Sequence, residues 1–236
     1  ATSHFKTEYD KTRIVPINRA AQIIGKIPEF IHTYCHVHAR GDSEADLALA
    51  EAFVARLQEE AGQHADGGAG NLMADVRHTA ELLWTSESTF RGMDEHNKEF
   101  CSLLNAAIRD DQAELAGPAA ALSRGLNEGL CTEGRAAPAA VPFPPGGVTL
   151  RGGGFDNAHQ GFFTVGKQFR VPGFLATSFE RATALRFLRT QQAYGRQGIL
   201  WVVRVDPAGE QDPSKRCKHV NFVSHSLVGG EAEYLF

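Results

Sequence analysis

No stretch of this 236-residue sequence approaches the ~18 consecutive apolar residues that a membrane-spanning helix needs. No run of Lys or Arg stands out, and 24 Lys+Arg against 28 Asp+Glu leave a formal net charge of −4. A chain that grips a phosphate backbone usually shows a basic stripe, so nucleic acid is not an expected partner. Cysteine is sparse: Cys35, Cys101, Cys131 and Cys217 stand far apart, and none belongs to a C-x-x-C pair. That spacing gives a structural zinc site no support, and it fits two bridges or four thiols equally. The opening residues Ala1–Lys6 lack the charged-then-apolar pattern of a secretory signal and any initiating Met, as in a processed or excised chain. What is present is an ordinary globular composition, 42% hydrophobic and 22% charged, long enough to bury a core in one or two domains.

The texture changes midway. From about residue 17 to residue 130 the pattern is helical. Leu47, Phe53, Val54 and Leu57 recur at helical spacing behind an N-cap at Asp42 or Ser43. The glycine-rich segment Ala61–Asn71 reads as a break. Further helices are expected over Leu72–Trp84, over Asp94–Arg109 with Phe100, Leu103, Leu104 and Ile108 on the apolar face, and over Ala113–Leu130 despite Pro118. The proline-rich Gly134–Gly147 reads as a connector. Beyond it, Val148–Arg151, Gly173–Thr177, Ile199–Val205, His219–Val223 and Glu231–Phe236 read as strands, with one helix over Arg181–Thr190. Within the helical half, His32, Cys35 and His36 fall at spacings that would share a helix face. Packed or solvated side chains are the plainer account, and no metal is expected.

Three segments of the strand-rich half carry chemistry. In Thr149-Leu150-Arg151-Gly152-Gly153-Gly154 a strand ends in an Arg whose fork suits phosphate, followed by glycines that allow close backbone approach; a turn with a solvated Arg is the plainer account. In Phe174-Leu175-Ala176-Thr177-Ser178-Phe179 two hydroxyls precede a helix, and Ser178 serves equally well as its cap. In Gly229-Gly230-Glu231-Ala232-Glu233-Tyr234-Leu235-Phe236 two carboxylates are two residues apart, on one face of a strand. Paired carboxylates of this kind raise one pKa and stabilise a sugar cation in glycosidases.

The order of these motifs resembles the mono-ADP-ribosyltransferases of the arginine–serine–glutamate (R-S-E) class, ecto-enzymes and toxins that transfer ADP-ribose from NAD. The three motifs lie within residues 148–236, and Leu82–Ser86 with Leu103–Arg109 resembles the helical region that precedes them in the family. The resemblance implies an α+β fold: a helical extension over residues 1–70 and a catalytic domain over 71–236, with helices packed on a split, mostly antiparallel β-sandwich. It implies that Arg151 contacts NAD phosphate and organises the site, with Gly152 and Gly153 beside it. It assigns Thr177 and Ser178 to the second and third places of a Ser-Thr-Ser motif whose first place holds Ala176, where the family usually has serine. Glu233 takes the role of the catalytic glutamate, Glu231 that of the glutamate associated with arginine acceptors, and 223–230 that of the target-presenting loop.

The implied activity is transfer of ADP-ribose from NAD, a substrate here, to an arginine of a protein partner, with nicotinamide released. Phe155, Phe162, Phe163 and Phe169 are candidates to clamp nicotinamide, with core packing the plainer account. Two other readings stay open on the same residues: an NAD glycohydrolase with water as acceptor, and an inactive NAD- or protein-binding module suggested by Ala176. The helical half also reads as a docking or inhibitory module. Secreted, host-delivered and cytosolic settings all fit, and oligomeric state is open.

Overall fold

Ser3 starts the first helix. In the computed structural model, which describes residues 3–12, 20–38, 43–63, 76–86, 89–91, 97–130, 147–169, 171–204, 221–222 and 233–235, its hydroxyl accepts from the Lys6 backbone N–H at 3.1 Å. Helix α1 (His4–Lys11) is followed by α2 (Ala20–Ile24), α3 (Ile27–Val37), α4 (Ser43–Gln63) and α5 (Val76–Thr85). An antiparallel pair, β1 (Thr89–Arg91) and β2 (Asn97–Glu99), precedes α6 (Phe100–Asp110) and α7 (Ala113–Leu130). These elements belong to one compact unit, Ala1–Leu130 with Ser224–Val228. Among the described residues no helix is long and apolar enough to cross a membrane.

The helical core follows from apolar residues three and four apart. Helix α3 buries Ile27, Phe30, Ile31 and Tyr34; α4 buries Ala50, Phe53 and Leu57; α6 buries Phe100, Leu103, Leu104 and Ala107. Their rings meet: Phe30 sits edge-on to Phe100 and Phe53 stacks on it, both at 5.7 Å between centroids. Helix α7 keeps Pro118 inside it. It also buries Leu115, Ala116, Ala119, Ala120, Leu122 and Leu126, and burial on that scale outweighs the ~3 kcal/mol of an interior proline.

Helix α1 is held to this core by polar groups. Asp111 ends α6 in the left-handed region, with φ of 52°. Its carboxylate accepts from Ser3 Oγ at 2.8 Å and from the backbone N–H groups of Phe5 at 2.7 Å and His4 at 3.1 Å. The Phe5 N–H, with the Ser3 and His4 bonds adding and desolvation opposing, holds the Asp111 carboxyl below its ordinary value. From α7, Arg124 donates to Thr12 Oγ1 at 2.9 Å and lies 4.0 Å over the Tyr9 ring, and Asn127 donates to the Tyr9 hydroxyl.

The second compact unit is Cys131–Val223 with Gly229–Phe236. It holds β3 (Val148–Phe155), a 3-10 turn (Asn157–Phe162), β4 (Ala176–Ser178), α8 (Arg181–Ala193), β5 (Gln197–Arg204), β6 (Asn221–Phe222) and β7 (Glu233–Leu235). The strands form one antiparallel sheet in the order β5-β3-β4-β7-β6. The architecture is therefore α+β, as the change of texture predicts.

Several boundaries move for local reasons. The strand ending expected at Arg151 does not occur: β3 runs on through Gly152, Gly153 and Gly154, because β5 pairs with it along its whole length. Strand β4 covers Ala176–Ser178 rather than 173–177, since Gly173 has φ of 133° and lies outside the strand region. The helix expected over 94–109 starts at Phe100, because Asn97–Glu99 pair with Arg91–Thr89 instead. Helix α4 continues past Ala61 to Gln63, short of the denser glycines that begin at Gly67. Helix α8 continues to Ala193 and gives way at Gly195, with φ of 74°. The connector 134–146, residues 72–75 and the outer residues of the two last expected strands lie outside the described residues.

Candidate functional site

The sheet order brings the three motifs side by side. Arg151 lies on β3, Ala176–Ser178 make up β4 and Glu233 opens β7, and these are three consecutive strands of the sheet. Ser178 is paired with Leu150 on one side and with Glu233 on the other. Neighbouring strands lie ~4.8 Å apart, so the backbones of Arg151, Thr177, Ser178 and Glu233 fall within two strand spacings. Segments more than 80 positions apart in sequence thus converge at one place. Glu231 and the loop 223–230 lie outside the described residues, as do the side-chain surroundings of Glu233.

The pleat divides the motif residues between two faces. A methyl group built on Gly152 falls 1.7 Å from the Ala184 carbonyl oxygen, so α8 rests directly on that face of β3. A methyl built on Gly153 meets the Trp201 ring at 3.6 Å instead. Alternation along the strand puts Arg151, Gly153 and Trp201 on the face away from α8. Gly152 and Gly154 thus admit the helix, and a phosphate has no room where Ala184 already sits.

Arg151 is half-buried and paired with Trp201 across β3 and β5. Its Nη1 donates to the Ala176 carbonyl oxygen at 2.6 Å. This charge-assisted bond ties β3 to the start of the hydroxyl motif and makes Arg151 an organiser of β4. Thr177 and Ser178 are both buried. The Ser178 hydroxyl accepts from the Glu180 backbone N–H at 2.9 Å, while Glu180 occupies the N-cap of α8. Ser178 therefore shapes the turn into α8 from two residues before the cap, and the cap expected at Ser178 falls at Glu180.

Beside Arg151 the rings assemble. Phe163 is the hub, with centroids 5.0 Å from Trp201, 5.1 Å from Phe162, 5.3 Å from Phe155 and 5.5 Å from Phe169. The four phenylalanines expected to offer ring faces thus form one cluster. Sequence reading passes over Trp201; only the register, which pairs it with Arg151, marks it. In the helical unit, the histidine segment does not converge: Cys35 is buried in α3 while His32 and His36 are exposed, and Tyr34 packs on His38 at 4.4 Å. Among the described residues no group of three or more His, Cys, Asp or Glu is arranged to hold a metal. No family model, no curated protein and no solved structure matches this chain.

Proposed function

We propose that the chain is an NAD-dependent mono-ADP-ribosyltransferase that transfers ADP-ribose to an arginine side chain and releases nicotinamide. The observation that carries this reading is the placement of Arg151-Gly152, Ala176-Thr177-Ser178 and Glu233 on three adjacent strands, with Ser178 paired to Glu233. The β4–β7 neighbour relation, which brings Glu233 beside Ser178, joins strands that are not consecutive in the chain.

The chemistry suits these residue types. The bond from ribose C1′ to nicotinamide breaks, and nicotinamide leaves with the electron pair as a neutral base. The ribose is left with oxocarbenium character, and a carboxylate held beside it lowers the barrier. Glu233 fills that role. The acceptor guanidinium attacks C1′ through nitrogen and sheds a proton, which Glu231 accepts as the bond forms. Arg151 keeps β4 against β3 so that the hydroxyl motif and Glu233 stay in register. Phe155 and Trp201, on the sheet beside Arg151, offer apolar faces to a flat heteroaromatic ring.

Ala176 favours a second reading, an NAD-binding module without turnover, because a methyl group there has no hydroxyl to hold a catalytic carboxylate. Nicotinamide release by the purified chain separates the two. Turnover lost in Glu233→Gln supports the transferase. Saturable NAD binding without release supports the module.

A further inference from the structure

The loop between β3 and β4 carries an exposed apolar rim. Phe162, Phe163 and Phe169 stand 44%, 37% and 49% exposed, with Val165 and Val171 exposed beside them. Large apolar side chains on a soluble surface usually stand singly. Here they touch: Phe163 contacts both Phe162 and Phe169, and Phe155 and Trp201 support the cluster from the sheet. The tip is a tight turn, in which the Lys167 N–H bonds the Thr164 carbonyl at 3.1 Å and Gly166 has φ of 80°. Val165 crowns that turn, fully exposed.

The charge of this segment is one-sided. Between Asn157 and Pro172 the sequence holds no Asp or Glu; Lys167 and Arg170 are its cations, on a chain of net charge −4. Lys167 Nζ lies 4.2 Å over the Phe162 ring, so a cation and the apolar rim share one surface.

We propose that this loop docks the protein onto an anionic lipid surface, with Val165 and the phenylalanine rim entering the interface and Lys167 facing the headgroups. A bilayer interface accepts aromatic rings and an aliphatic tip without matching their shape. Anionic headgroups complement a segment that is basic on an otherwise acidic chain. An acidic protein face would satisfy the cations equally, but a projecting turn crowned by one exposed valine calls for a concave partner there, whereas a membrane needs none. The proposal does not depend on the transferase reading.

The test is co-sedimentation of the full chain with vesicles of phosphatidylcholine, with and without phosphatidylserine. Val165→Asp is run alongside, its fold checked by circular dichroism, since Val165 stands clear of the packed rings. The expected result is sedimentation with the phosphatidylserine vesicles, weakened by salt and reduced about tenfold or more in Val165→Asp. A chain that stays in the supernatant with phosphatidylserine vesicles overturns the proposal, and so does a Val165→Asp variant that sediments like the parent. Retention on immobilised polyglutamate without vesicle binding overturns it in favour of an acidic protein partner.

Discussion

Arg151 and the two glutamates carry the residue-scale argument. Arg151 reaches the Ala176 carbonyl with one arm of a planar fork, a geometry lysine does not reproduce. Arg151→Lys is expected to cost about 1.5–3 kcal/mol of stability, the range for a hydrogen bond to a charged group, and to slow nicotinamide release. Thermal unfolding with an activity assay checks both; an unchanged melting temperature contradicts the clamp. Glu231→Gln is expected to spare NAD hydrolysis while cutting transfer to a guanidinium acceptor, because the acceptor's proton loses its base. Parallel measurement of nicotinamide and of the adduct separates that outcome from equal loss of both.

At the scale of elements, the contact between α8 and β3 decides most. A side chain at Gly152 collides with the Ala184 backbone, which cannot swing aside as a side-chain tip does. Gly152→Ala is expected to destabilise the sheet unit by about 1–3 kcal/mol or more, whereas Gly161→Ala, with nothing within 4 Å, leaves its packing unchanged. Denaturant melts of the two variants give the comparison. The α1 attachment is pH-sensitive in a defined sense. The folded Asp111 carboxyl titrates below its ordinary value, so its contribution is full above the unfolded value and is lost as pH falls through the folded one. Amide exchange in α1 is expected to rise in acid below the ordinary carboxylate range, and to be raised already at neutral pH in Asp111→Ala. Equal exchange in the variant at neutral pH would remove the Asp111 contacts from the account.

How much of this was legible in the sequence varies by element for physical reasons. Helix α7 matches its expected limits, Ala113–Leu130, because local periodicity and terminal signals suffice for a buried helix. The glycines after Arg151 signal a turn in sequence, yet they extend β3 because α8 needs a surface without side chains, a demand set by Ala184, 32 positions beyond Gly152. The start of α6 failed similarly, since Asn97–Glu99 found backbone partners in β1. The site was legible only as a list of segments. Their adjacency rests on strand register, which no local pattern encodes.

At the scale of the whole molecule, the chain forms two compact units, and the division bears on how the helical half is tested. Residues 1–70 hold Phe30 and Phe53, which pack on Phe100, and Tyr9, which sits under Arg124. Their deletion is expected to unfold α5–α7 along with them, seen as a loss of helical circular dichroism larger than the deleted helices contribute. A truncated chain that keeps a cooperative melt would instead mark residues 1–70 as a separable module, open to the docking or inhibitory role.

The most direct test of the central claim is nicotinamide release from NAD by the purified chain, with and without agmatine, against Glu233→Gln. Release accompanied by ADP-ribosyl-agmatine is the expected result, with a fall of roughly 10²–10³-fold in Glu233→Gln, the scale of losing a charge-stabilising group. Release that persists undiminished in Glu233→Gln, or no release from the parent chain under any acceptor condition, contradicts it.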